Sequence, residues 1–110
     1  PTVLRGYGVV AGGLVGGSNR DCESGGVAAW FLHDLNDNEN PISGNEGARN
    51  RLITANGCTM TTMPVEPSPC VRYQGCREGL PIDWCQTTGA GHSVQASLSG
   101  PGMWQFFSSL

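Results

Sequence analysis

The chain has 110 residues, 38% of them hydrophobic, with 17 glycines and 7 prolines, which is enough for one small domain rich in turns and loops. Only 14% of the residues are charged and the formal net charge is −3, which excludes the basic footprint of a nucleic-acid binder. No apolar run is long enough to span a membrane as a helix, and the pattern opens mid-element at Pro1, so a preceding part is expected.

Taken in chain order, residues 4–11 are predicted as a first strand whose apolar end is Gly8-Val9-Val10-Ala11. The glycine-rich loop 12–17 matches neither G-x-G-x-x-G opening a helix nor G-x-x-x-x-G-K-[ST], so it reads as a strand connection and not as a phosphate cradle. Residues 18–26 are polar and turn-like. The unbroken run Val27-Ala28-Ala29-Trp30-Phe31-Leu32 is expected to be a central parallel strand buried on both faces. The acidic segment leaving it, His33-Asp34-Leu35-Asn36-Asp37, lies where ligands and catalytic groups collect in open α/β sheets. A helix follows: Ser43 and Glu46 form an S-x-x-E capping box, Ala48, Leu52 and Ala55 an apolar face, and Asn56-Gly57 a left-handed stop. Residues 59–69, with three prolines, are expected to be an extended loop. Two short strands, 70–73 and 82–86, are joined through Gly75, Gly79 and Pro81. Residues 101–110 are predicted as a terminal helix with Met103, Phe107 and Leu110 as its core stripe. These elements are too few to cover both faces of a buried parallel sheet, so the expected architecture is the C-terminal part of a larger α/β domain.

Five cysteines are many for this length: Cys22, Cys58, Cys70, Cys76 and Cys85. The set Cys58, Cys70, Cys76, Cys85 and His92 contains no C-x2-C or C-x4-C knuckle, which argues against zinc and for disulfides in an oxidising compartment. More than one connectivity is open to the four clustered cysteines. If strands 70–73 and 82–86 pair as neighbours, Cys70 faces Cys85, and Cys58 with Cys76 ties the helix end to the turn. The isolated Cys22 is expected to pair outside this chain.

Serine hydrolysis needs a nucleophile, an imidazole to move its proton and a carboxylate to fix the imidazole tautomer. Asp37 follows the buried strand and His92 follows strand 82–86, in the chain order acid then base. Asp34 is the competing carboxylate. His33, ending a buried strand, reads as a structural hydrogen-bonding residue. Gly89 and Gly91 suit a histidine carried on an unusual backbone. No G-x-S-x-G occurs, and Ser18, Ser24, Ser43, Ser93, Ser97 and Ser99 all lack the strand–turn–helix elbow, so no nucleophile is assigned in this chain.

Several stretches together resemble the C-terminal part of secreted fungal feruloyl esterases: Asn56-Gly57-Cys58, residues 73–84 (Tyr-Gln-Gly-Cys-Arg-Glu-Gly-Leu-Pro-Ile-Asp-Trp), Gly91-His92 and Trp104-Gln105-Phe106-Phe107. The wider group includes acetyl xylan esterases and polyhydroxybutyrate-depolymerase-like esterases. Residues 1–13 are similar to the strand after the nucleophile's helix in that group. The resemblance implies that residues 1–110 are the C-terminal portion of one α/β-hydrolase catalytic domain. That portion would have a mostly parallel sheet flanked by helices and stapled by disulfides, with the nucleophile-bearing portion outside it. On the family's His-Gly-x-x-Asp pattern the triad acid falls on Asp37 and a non-catalytic His on His33. On its Gly-Gly-His pattern the base falls on His92. The family disulfide falls on Cys58 and Cys76. Asp34 and Ala90 stand where the family has Gly, and Ser93-Val94 replaces a Thr/aromatic-Pro neighbourhood.

The resemblance further implies a secreted, extracellular serine carboxylesterase that needs no cofactor or metal. Its substrates would be feruloylated or acetylated plant polysaccharides. Its partner would be an N-terminal fragment of the same enzyme, carrying the Ser and the mate of Cys22; neither nucleic acid nor a membrane is expected. Alone, the chain is expected to be inert. The rival enzyme reading is acetyl xylan or polyester (polyhydroxybutyrate) hydrolysis. The non-enzyme rival is a secreted carbohydrate-binding module, which calls for a row of exposed aromatics, whereas Trp30, Trp84, Trp104, Phe31 and Phe107 sit in core-like patterns.

Overall fold

β2 (Ala28–Asp34) is the central strand, and all seven of its residues are buried in this computed structural model, which describes residues 4–13 and 25–110. The parts of the expected glycine loop and polar turn that fall on residues 14–24, and Cys22 with them, lie outside the described residues. On one side β2 pairs in parallel with β1 (Gly6–Val10), Gly6 opposite Ala28; on the other it pairs in parallel with β5 (Ile82–Thr87), Ala29 opposite Ile82. β4 (Val71–Tyr73) then pairs antiparallel with β5, and β3 (Thr62–Pro64) antiparallel with β4, giving the order β1-β2-β5-β4-β3.

The sheet is therefore mixed, with two parallel and two antiparallel junctions, and the expected mostly parallel α/β-hydrolase sheet is corrected. The reason is chain length between strands. The connection from β2 to β5 carries α1 (Ile42–Asn56), and parallel neighbours need a crossover of that length. Residues 65–70 and 74–81 are too short for one, so β3, β4 and β5 must reverse direction as hairpins. What results is not a part of a parallel-sheet hydrolase but a small compact domain with, among the described residues, two helices and two disulfides, and a radius of gyration of 13.2 Å, close to the ordinary value for a folded chain of this length.

Period-two alternation along β2 divides the core between the two faces. Val27, Ala29 and Phe31 pack with Ile82, Trp84 and Tyr73 against α1 (Ile42–Asn56), while Ala28, Trp30 and Leu32 pack with Cys70 and Cys85 against α2 (Ala96–Ser108). Burying each large apolar side chain here is worth about 1.5–3 kcal/mol. Two helices thus suffice to cover the sheet's middle strands.

α1 departs from its expected start. Pro41 is the N-cap and no side chain caps the helix, so the Ser43–Glu46 capping box does not form. With Ile42 already helical, Ser43 lies inside the first turn and cannot act from the cap position. The buried residues are Asn45, Leu52, Ile53 and Asn56, with Ala48 packed beside them. The expected stop is present: Gly57 has φ 73° and its N–H reaches the carbonyls of Ile53 and Thr54. Asn56 is more than a stop signal. Its Oδ1 accepts the N–H of Val27 at 3.1 Å, and its Nδ2 donates to the carbonyls of Val27 (2.9 Å) and Leu80 (3.0 Å). One side chain thereby ties the helix end to the approaches of both β2 and β5.

The disulfides are Cys58–Cys76 and Cys70–Cys85, closing loops with sequence separations of 18 and 15. Register explains the second, because Val71 lies opposite Trp84 and places Cys70 beside Cys85. Loop closure makes each worth about 3 kcal/mol. β3 falls in the stretch expected to be a loop. Its three exposed residues carry little apolar signal, and it exists because it pairs with β4.

α2 begins at Ala96, ahead of the expected helix, and carries Pro101 inside it. Its core contact is Phe106 together with Leu98, Met103 and Leu110; Phe107 is largely outside, and Trp104, expected in the core, is 76% exposed. The helix comes close to the sheet at Gly102, where an added Cβ would lie 2.4 Å from Cζ2 of Trp30.

Gly102→Ala is therefore expected to destabilise the fold by about 1–3 kcal/mol through overpacking. Gly100→Ala on the same helix, where a Cβ meets nothing within 4 Å, should be neutral or stabilising by up to about 1 kcal/mol. Denaturant unfolding of the two variants checks the pair, and equal effects would contradict this packing.

Candidate functional site

Because β2 and β5 are parallel, their carboxyl ends lie side by side, with Asp34 opposite Thr87. Two loops leave from there, residues 35–41 and residues 88–95. The first carries Asp37 and the second His92, and the structure brings these two residues together.

The Asp37 carboxylate is buried and fully engaged. Its Oδ1 accepts the backbone N–H groups of Glu39 (3.0 Å) and Asn40 (2.8 Å), and its Oδ2 accepts Nδ1–H of His92 at 2.9 Å. Nε2 of His33 lies 3.3 Å from the same Oδ2. Burial works to raise the Asp37 pKa. The Asn40 N–H, the His92 ring and the Glu39 N–H outweigh it, with the His92 charge adding, and hold the carboxyl below its ordinary value.

His33 is wholly buried in β2. Its Nε2–H donates to the Asn40 carbonyl at 2.7 Å, and its Nδ1 accepts from Asn45 Nδ2 at 3.1 Å. With Asn45 Nδ2 as the donor to Nδ1, these partners place the ring hydrogen on Nε2. Asn40 in turn donates Nδ2–H to the Ala11 carbonyl at 2.8 Å, which anchors the acidic loop to the end of β1. His33 is thus a hydrogen-bonding residue at the back of the site.

The His92 side chain is 39% exposed, and its outer nitrogen, Nε2, stands 3.5 Å from Oε2 of Glu39. The hydrogen bond to Asp37 raises the His92 pKa; burial opposes it, and the charges of Asp37 and Glu39 add to the rise. The competing acid, Asp34, does not touch the imidazole in any described hydrogen bond. Oδ1 accepts the Thr87 hydroxyl (2.7 Å) and the Ala90 N–H (3.0 Å), and Oδ2 accepts the N–H groups of Asn36 (2.9 Å) and Gly91 (2.9 Å). Burial would raise its carboxyl, but these donors hold it down at about 2.

An imidazole with Nδ1–H on a buried carboxylate and Nε2 facing outward has the geometry of a general base. None of the described hydrogen bonds joins His92 to a hydroxyl. Cys58, Cys70, Cys76 and Cys85 are all oxidised, so a zinc set built on them has no thiolates. Among the described residues no group of three or more His, Cys, Asp or Glu can hold a metal, and no helix is long and apolar enough to cross a membrane. An open groove of about 520 Å³, lined by Met63, Arg72, Tyr73, Pro81 and Leu110, sits at the amino end of β5. The length of a six-residue strand, roughly 20 Å, separates it from the dyad, too far to hold a reacting carbonyl there. No family model matches the chain, and no curated protein matches it.

Asn40, Asn45 and Thr87 are site residues that sequence reasoning missed, as it missed the role of Asp34. Part of this was legible: Asp in a loop favours an Asx-turn, its side chain accepting a backbone N–H two residues on, and Asp34 and Asp37 do this with Asn36 and Glu39. The contacts of Thr87 and Asn45 depend on packing and left no local signal.

Folded His92 binds its proton more tightly than the unfolded chain, so its pairing contributes fully below the ordinary value of 6.5 and is lost as pH rises through the folded value. Asp37 is held low, so its contribution is present above the ordinary 3.8 and is lost as pH falls through the folded value. The stability difference between the native protein and Asp37→Asn should therefore peak between pH 3.8 and 6.5. Urea unfolding carried well below pH 3.8 and well above pH 6.5 measures it, and a difference flat over that wider span would contradict the pairing.

Proposed function

We propose that Asp37 and His92 are the acid and base of a secreted carboxylic ester hydrolase of the serine type, acting on plant cell-wall esters with feruloyl esters as its substrates. The nucleophilic Ser is carried by polypeptide outside this chain, and Cys22 forms the disulfide to it. The observation that carries this reading is the 2.9 Å hydrogen bond from Nδ1–H of His92 to buried Asp37, which leaves Nε2 outward. The two disulfides support an oxidising, extracellular setting. The substrate class rests on the resemblance of residues 56–58, 73–84, 91–92 and 104–107 to feruloyl esterases.

In this mechanism Nε2 of His92 takes the proton of the attacking serine hydroxyl, and the serine oxygen forms the tetrahedral adduct at the ester carbon. The imidazolium then passes that proton to the departing alcohol, leaving an acyl-enzyme. Water repeats the cycle: His92 takes its proton, the carboxylic acid departs, and the serine regains its hydrogen. Asp37 stays ionised throughout, orienting the ring and stabilising its cation. Glu39 must swing off Nε2 for the hydroxyl to approach, and its side chain, 76% exposed, is free to do so. The binding-module alternative wants a row of exposed aromatics. Trp30, Phe31 and Trp84 are buried, and Trp104 and Phe107 are two exposed positions on one helix and not a row, so the esterase reading is preferred.

In the native assembly, His92→Ala should reduce turnover of methyl ferulate by about 10⁶-fold, and Asp37→Asn by about 10⁴-fold. Retained turnover in His92→Ala would remove the base. A fluorophosphonate probe should label a serine on a polypeptide joined to this chain under non-reducing conditions. Labelling of a serine within residues 1–110 would overturn the divided arrangement.

A further inference from the structure

The Gly89-Ala90-Gly91 segment turns three successive backbone N–H groups towards the end of β2. Gly89 N–H donates to Asn36 Oδ1 at 2.8 Å, and the N–H groups of Ala90 and Gly91 donate to the two oxygens of Asp34. Gly89 and Gly91 have φ values of 86° and 68°, which give the backbone the concave form that cradles anions. An added Cβ would meet nothing within 4 Å at either position, so these glycines serve the backbone conformation and not a lack of space.

We infer that Asp34 is the positioning residue of the base: as an internal anion it grips the backbone of the loop and so sets His92 against Asp37. His92 is the next residue after Gly91, whose N–H is held at 2.9 Å. A loop displacement of about 1 Å would take the His92–Asp37 contact out of hydrogen-bond range. The grip extends to the far end of the loop. Thr87, which donates to Asp34, accepts Nε2–H of Gln95 at 3.0 Å, and Gln95 is the N-cap of α2. The low carboxyl of Asp34 fits four donors acting on an anion. This also explains why a second acid stands three residues before the first: Asp37 binds the ring and Asp34 binds its backbone support.

The inference rests on His92 being the base, but its test reads position directly. The groups facing the His92 ring are Asp37 and Glu39 on the neighbouring loop, with His33 behind Asp37. None of these is altered by Asp34→Asn, which keeps one acceptor oxygen and loses the other. By NMR on the full chain, hydrogen exchange at Ala90 or Gly91 should accelerate roughly tenfold, and the His92 titration midpoint should fall towards 6.5. Thr87→Val, which removes one donor and leaves the carboxylate, should shift the midpoint the same way by less, and serves if Asp34→Asn fails to fold. A lowered melting temperature with an unmoved His92 midpoint would make Asp34 merely structural and overturn the proposal. A shifted midpoint with esterase turnover retained in His92→Ala would instead keep the clamp and discard the base.

Discussion

The parallel register of β2 and β5, in which Asp34 stands opposite Thr87, makes the acidic loop and the histidine loop leave the sheet side by side. Slipping that register by one residue would turn every side chain of the strand to the other face. It is held because β2 is buried on both faces, with Phe31 and Trp30 committed to opposite cores. Hydrophobic burial, which is not directional, thereby fixes a polar arrangement that must be accurate to a fraction of an ångström. The first residues beyond the apolar run, His33 and Asp34, remain in the strand and remain buried. Their cost is offset because each finds partners on both sides.

The rest of the fold supports that register from outside. The β3–β4–β5 hairpins are locked by Cys70–Cys85 and by Arg72, whose guanidinium contacts both oxygens of Asp83 at 2.7 and 3.1 Å. Asn56 and Cys58–Cys76 fasten the end of α1 to the strand approaches and to the turn after β4. Arg72–Asp83, Asn56 and Cys58–Cys76 gather at the amino ends of β2 and β5, away from the dyad, and Cys70–Cys85 grips β5 nearer its carboxyl end. The loops at the carboxyl ends are held by hydrogen bonds from carboxylates, amides, the Thr87 hydroxyl and the His33 ring, which suits a surface whose imidazole must exchange protons with another group.

How much of this was legible in the residues depends on the kind of signal. The run from Val27 to Leu32 read as a buried strand because six apolar residues have no other economical place. Asp37 and His92 stood out because their chemistry is specific. The mixed sheet was hidden by the apolar run itself, which reports burial on both faces but not the direction of more distant neighbours. β3 has too little apolar content to announce itself. α2 was displaced because Pro101 read as a helix start, whereas here the helix accommodates it; that shift moved the core stripe from Phe107 to Phe106 and left Trp104 outside. The polar residues Asn45 and Asn56 on the buried side of α1 blurred its apolar face. Asp34 was visible as an acid, but its role lies in backbone amides more than fifty residues away, a contact no local pattern encodes.

At the centre of the account is one proton on one nitrogen: Asp37 holds His92 with hydrogen on Nδ1 and leaves Nε2 free to accept. Ring ¹⁵N chemical shifts of the two histidines, recorded above the His92 titration, read this directly. The account predicts His92 as the Nδ1–H tautomer and His33 as the Nε2–H tautomer. His92 found with its proton on Nε2 would contradict it, because the outward nitrogen would then be a donor and could not act as the base.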